Sequence, residues 1–120
     1  MSEKSQTPES FLPLPPATFH ILLALAEEPR HGYAIIQDVA ASTDGELVLS
    51  AGTLYRSIQR MLEQGLLVET RTRPKPELDD ERRRYYELTP LGAAVARAEA
   101  QRLAHLVKLA RASGLVQRRT

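Results

Sequence analysis

The stretch from Leu49 to Leu67 constrains the fold of this chain more than any other. Ser50 heads it as an N-cap, since its hydroxyl can accept from the free N–H groups of a first helical turn. Leu54, Ile58, Met61 and Leu62 come next at i, i+4, i+7 and i+8, which makes one apolar stripe of helical period. Thr53, Tyr55, Arg56, Gln59 and Arg60 lie off that stripe, with no carboxylate before Glu63. Gly65 is placed to end the helix as its C′ residue. By itself this is equally an ordinary amphipathic surface helix. The residues beyond Gly65 decide between the two readings.

After Gly65 the period changes from helical to two. Leu66, Val68 and Thr70 alternate with Leu67, Glu69 and Arg71, and Tyr86 and Leu88 alternate with Tyr85 and Glu87. Aromatic and β-branched residues in that alternation predict two strands. Thr72 to Arg83 between them is polar, and Pro74 and Pro76 cannot donate to a ladder. The expectation is a hairpin with a long, mobile, charged tip.

Upstream, residues 1–13 combine Ser, Glu, Gln, Thr and Pro with little apolar material and predict a disordered or loosely attached arm, in which Phe11 and Leu12 could dock at a place the sequence does not fix. Pro16 suits a first helical turn, and Phe19, Leu22, Leu23 and Ala26 carry a helix from about 16 to 28. After Arg30-His31-Gly32, a second helix is expected over about 32–43, with Tyr33, Ile36, Val39 and Ala40 facing inward. Ser42-Thr43-Asp44-Gly45 is a turn cluster, and Leu47-Val48-Leu49 reads as a short strand. Helix, helix, short strand, helix and hairpin give a mainly α fold with a small β-hairpin, the winged helix-turn-helix order, over residues 14–89. In that order the third helix is the one that enters a DNA major groove.

Thr89-Pro90 opens a last helix over 90–113, with Thr as N-cap and Pro at the first helical position. At about 1.5 Å per residue it is roughly 35 Å long, more than so small a core can cover. Ala93, Ala96, Ala100, Leu103, Val107 and Ala110 form a seam, widened by Leu106 and Leu109. The expected partner is the same helix of a second copy, which makes this a dimerisation helix. Residues 114–120 read as a flexible end.

Charge supports the same division. The net charge is only +1, but residues 1–50 carry a balance of −5 and residues 51–120 one of +6. The positive field thus lies where the third helix and hairpin lie. The chain has no cysteine, which excludes disulfides and thiolate chemistry. No apolar run approaches the roughly 18 residues of a membrane span, and the polar start lacks a secretory pattern, so a cytoplasmic protein is expected. His20, His31 and His105 have no ligand spacing, and no phosphate loop, nucleophile elbow or carboxylate pair is present. Neither an enzyme, a metal site nor a cofactor is expected.

Four segments carry a family resemblance: Leu14-Pro15-Pro16, Arg30-His31-Gly32-Tyr33-Ala34-Ile35, Leu49-Ser50-Ala51-Gly52-Thr53-Leu54-Tyr55, and Arg82-Arg83-Arg84-Tyr85-Tyr86-Glu87-Leu88-Thr89-Pro90-Leu91-Gly92. Together they resemble the PadR family of bacterial transcriptional regulators over about residues 14–110. The resemblance implies a dimeric winged-helix repressor of the short subfamily, with one C-terminal dimerisation helix and often a small-molecule effector. Where the family often has Pro, this chain has Ala51 and Arg56. Its last helix lacks the aromatic residues some relatives use to stack on flat ligands.

The candidate DNA contacts are therefore Ser50, Thr53, Tyr55, Arg56, Gln59 and Arg60 on the third helix. Arg pairs bidentately with guanine and Gln with adenine, while the hydroxyls suit phosphate. On the wing, Arg71, Arg73, Lys75, Arg82, Arg83 and Arg84 suit phosphate or minor groove. They compete with internal pairing to Glu77, Asp79, Asp80 and Glu81. Ala96, Ala100, Leu103, Leu106, Val107 and Ala110 are the candidate dimer contacts. The resemblance and the seam together place a small hydrophobic effector against Leu14, Leu103, Leu106 and Val107. The expected function is a dimeric repressor at a palindromic operator in double-stranded DNA. The alternative is a winged-helix module that binds protein, which would call for a more apolar third helix.

Overall fold

A computed structural model describes residues 6–73 and 83–117. Its helices are α1 (Pro16–Ala24), α2 (Gly32–Ser42), α3 (Ala51–Glu63) and α4 (Pro90–Ala112). Its strands are β1 (Arg30–His31), β2 (Leu67–Thr70) and β3 (Tyr85–Leu88), and a 3-10 turn covers Pro8–Phe11. The fold is mainly helical with a small antiparallel sheet ordered β1-β3-β2, as in a winged helix.

The sheet corrects one expectation. Leu47-Val48-Leu49 forms no strand; Leu49 is buried and anchors the loop before α3, while Val48 is exposed. The third strand is Arg30–His31, with Arg30 opposite Tyr86 and His31 opposite Tyr85. It exists because α1 stops earlier than the apolar spacing predicts. The Arg30 Nε donates to the Ala24 carbonyl at 2.6 Å, satisfying a terminal acceptor and turning the chain back toward β3. On its other edge β3 pairs with β2, from Leu67 opposite Leu88 to Thr70 opposite Tyr85. The hairpin tip, with Lys75, Arg82 and the four acids expected to neutralise it, lies outside the described residues.

The core joins Ile21, Leu22 and Leu25 from the α1 region, Ile35 and Val39 from α2, and Leu54, Ile58 and Met61 from α3. Leu66, Leu67, Tyr86 and Val95 close it from the sheet and α4. The inner face of α2 is therefore Gly32, Ile35 and Val39, not the stripe that began at Tyr33, which is 59% exposed. Stripes one residue apart share Val39, and the small Gly32 hid the true one.

α4 is pinned at its start. The Thr89 hydroxyl accepts from Gly92 N at 2.9 Å and donates to the Gly65 carbonyl at 2.6 Å. A Cβ at Gly92 would overlap the Leu66 carbonyl oxygen, so only glycine lets α4 lie this close to the turn after α3. Its inward residues are Gly92, Val95 and Glu99, with Ala96 half-buried beside them. Glu99 is 2% exposed. It accepts from Leu14 N at 3.0 Å and from the Arg102 guanidinium at 2.6 and 3.1 Å. Hydrogen bonding from Arg102 holds its carboxyl below the ordinary range, against the opposing effect of burial.

The same contact corrects the reading of the arm. Residues 8–14 are docked: Phe11, Leu12 and Leu14 pack against the core, and the Leu14 amide is fixed on Glu99. Beyond Leu103, α4 leaves the domain. Leu106, Val107 and Leu109 are 46%, 40% and 49% exposed. Among the described residues no helix is long and apolar enough to cross a membrane.

Candidate nucleic-acid interface

α3 begins on Ser50, whose hydroxyl accepts from Thr53 N and donates to the Thr53 hydroxyl, both at 3.1 Å. Two of the expected phosphate contacts thus already form the helix cap. Leu54, Ile58 and Met61 bury the inner face. The opposite side carries Arg56, Gln59 and Arg60, all exposed. The Gln59 amide donates to the Glu63 carboxylate at 3.2 Å, one helical turn on. Neither Arg56 nor Arg60 makes an ion pair among the described residues. Within that part of the chain they are charged donors without an acceptor.

α3 is flanked by two clefts. On the sheet side, Tyr55 leans across the start of α2, its hydroxyl so close that a Cβ at Gly32 would overlap it. Tyr55, Tyr33, Tyr86, His31, Arg83 and Arg84 line a cleft of about 330 Å³ there. Burial, then the neighbouring Tyr55, pushes the Tyr86 phenol up, so it stays a neutral donor. Tyr33 is a candidate contact that the sequence reading missed. The signal was its mismatch with the Gly32-Ile35-Val39 stripe. On the other flank, Thr53, Arg56, Ser57 and Arg60 face Thr18 at the start of α1 across a cleft of about 170 Å³.

The wing's basic residues are less equal than their run implies. Arg71 is exposed. The Arg73 guanidinium lies 4.3 Å from the Tyr85 ring centre, a cation–π contact that turns it inward. Arg84 Nε is 3.9 Å from the Glu69 carboxylate of the paired strand. Arg83 Nη1 is 2.9 Å from His31 Nε2. His31 already caps α2, with Nδ1 accepting from Ala34 N at 3.2 Å. A neutral imidazole has one lone-pair nitrogen, so Nδ1 and Nε2 cannot both accept, and the tautomer decides which of the two contacts is the hydrogen bond. This agrees with His31 as a turn and packing element.

Three packed helices, an exposed cationic third helix and a sheet beside it define a winged helix-turn-helix protein. The sequence profile of the transcriptional regulator PadR-like family matches residues 21–98, and the chain belongs to that family. Its fold is similar to a transcriptional regulator from Clostridium thermocellum, at 22% identity and TM-score 0.65, covering 92% of this chain and 96% of that one. It is also similar to a PadR family transcription regulator from Clostridium difficile, at 24% identity and TM-score 0.64, covering 78% and 93%. A third neighbour is Bordetella bronchiseptica BpsR, whose DNA binding is regulated by 6-hydroxynicotinic acid. That match has 21% identity and TM-score 0.59, covering 79% and 63%. Among curated protein sequences none matches significantly.

Proposed function

We propose that this chain is a homodimeric, sequence-specific DNA-binding repressor. α3 enters the major groove of each half of a palindromic operator, and the wing lies beside it. The observation that carries this reading is the outer face of α3: Arg56 and Arg60 stand without ion pairs among the described residues, over a face that buries Leu54, Ile58 and Met61. Arg56 and Gln59 are the base readers, and Arg60, Arg71, Arg83 and Arg84 address phosphates. Tyr33 and Tyr55 border the groove. A protein bound across two half-sites blocks access to the duplex, which is repression.

The distal half of α4 supports the dimer. Leu106, Val107 and Leu109 expose an apolar face where the domain has ended, and apolar burial stabilises by roughly 25 cal/mol per Å². A two-fold axis through that helix would set the two α3 helices about one DNA turn, roughly 34 Å, apart. Ala96 contributes less to such a contact, being packed against its own core. A small hydrophobic effector seated against Leu14, Leu103, Leu106 and Val107 would act where arm, α4 and partner meet. BpsR supplies a precedent for effector control in this fold.

Selection from random duplexes, with sedimentation of the free and bound protein, tests the proposal. It should return one palindrome bound by two chains. Binding without sequence preference, or recovery of no duplex, would refute it.

A further inference from the structure

The cleft between α1 and α3 has a chemistry that recognition by α3 alone does not use. Thr53, Ser57 and Arg60, at i, i+4 and i+7, put one flank of α3 along it. Thr18 faces them from α1, and Arg56 stands at the lip. The Thr18 and Ser57 hydroxyls make no hydrogen bond among the described residues, and neither arginine has an acid partner. No carboxylate lines the cleft. Two arginines and two hydroxyls that line a small open cavity, without partners among the described residues, are donors suited to an anion with several acceptor oxygens. The first-turn N–H groups of α1 lie alongside with no capping side chain.

Its position identifies the source of that anion. Tyr55 leaves α3 on the opposite flank, toward the sheet-side cleft with Arg83 and Arg84. The Arg56–Gln59 ridge lies between the two clefts. A helix lying in a major groove has one phosphate strand on each side. The wing side addresses one strand, and the α1 side meets the other.

We propose that the α1–α3 cleft seats a backbone phosphate of the bound duplex. Arg60 supplies the charge, and Thr18 and Ser57 supply hydroxyl donors. The inference rests on the DNA-binding reading and adds a contact from α1. The phosphate fixes the depth and angle of α3, and it carries no sequence information.

The test uses the full chain with the selected operator and a random duplex of equal length. Arg60→Ala should weaken both by the same factor, about tenfold near 0.1 M salt, and lower the slope of log K against log salt by about 1. Thr18→Val, which keeps the shape of the side chain, should weaken both a few-fold. Arg60→Lys should restore most of the loss. One uncharged methylphosphonate at the contacted position should abolish the difference between wild type and Arg60→Ala. Inorganic phosphate should compete no better than chloride of equal ionic strength. The seat is overturned if both variants keep full affinity. It is equally overturned if Arg60→Ala weakens the operator alone, or if free phosphate saturates the cleft and displaces no DNA. A wild type that binds no duplex overturns the DNA reading and the seat together. A wild type that binds normally beside unaffected variants overturns the seat only.

Discussion

α3 and α4 are both two-faced helices, and the faces they leave uncovered differ in kind. α3 buries Leu54, Ile58 and Met61 and exposes arginine, glutamine and tyrosine. α4 buries Gly92, Val95 and Glu99, then runs past the domain and exposes leucine and valine. An outer face of charged donors stays in water at no cost until an anion replaces the water. An outer apolar face favours burial at once. The contrast supports the proposed partners: nucleic acid for α3, a second copy of the chain for the distal part of α4.

The largest expected effect comes from making the two outer faces alike. Leu103→Glu puts a carboxylate into the apolar seam, where an unpaired charge costs several kcal/mol. The protein should sediment as a monomer and lose about a hundredfold or more in operator affinity, while weak, salt-sensitive binding persists. Leu103 is half-buried in its own domain, so Leu106→Glu, at a more exposed position, serves as the matched variant. A monomeric wild type, or variants that stay dimeric with full operator affinity, would erase the distinction between the helices.

The next effect is on α3. Arg56→Ala should cost about 1–3 kcal/mol on the operator and relax preference at one position of each half-site. Equal weakening of every duplex would move Arg56 from base reading into the phosphate cleft beside Arg60.

α3 was legible in the sequence because three independent signals coincide there: the Ser50 cap, the Leu54-Ile58-Met61 stripe and the stop at Gly65. The two-residue strand Arg30–His31 was not legible, because two residues have no period. Its pairing depends on β3, more than 50 positions away. Tyr33 was misplaced because an aromatic residue outweighed a glycine in choosing the inner stripe of α2. No pattern in the sequence marks Glu99 as buried. Its burial depends on the Leu14 amide arriving from 85 positions away. That approach also docks residues 8–14, which composition alone made a loose arm. The wing arginines form an even basic run in sequence, and only contacts with Tyr85, Glu69 and His31 distinguish them.

Glu99 sharpens the comparison within α4, since it ties the proximal half to the domain's own arm. Its carboxyl is held below the ordinary value of about 4.3 by the Arg102 hydrogen bonds, burial opposing and the Leu14 amide adding. A depressed carboxylate contributes stability that is fully present above the unfolded-state value and is lost as pH falls through the folded one. Glu99→Gln should therefore destabilise by about 1.5–3 kcal/mol at pH 7, the range for hydrogen bonds to charged groups. The gap from wild type should close as pH falls from the ordinary glutamate value of about 4.3 through the lower folded-state one. Thermal unfolding of both proteins from pH 7 to pH 3 reads it. A gap that stays constant with pH would mean that the carboxylate charge contributes nothing.

The smallest effect separates the arginines of α3 from those of the wing. Arg84 and Glu69 are 3.9 Å apart with side chains 74% and 52% exposed, so their pair contributes at most about 1 kcal/mol to folding. Its consequence for binding is larger than for stability. Glu69 cancels part of the field that Arg84 offers a phosphate, whereas Arg60 makes no ion pair among the described residues. Glu69→Gln should leave the melting temperature nearly unchanged and tighten duplex binding up to a few-fold at low salt, fading as salt screens the pair. Arg84→Ala should weaken binding less than Arg60→Ala does. If the two arginine variants lose equal affinity and Glu69→Gln has no effect, Arg84 leaves Glu69 when DNA binds. The wing would then contribute as fully as α3.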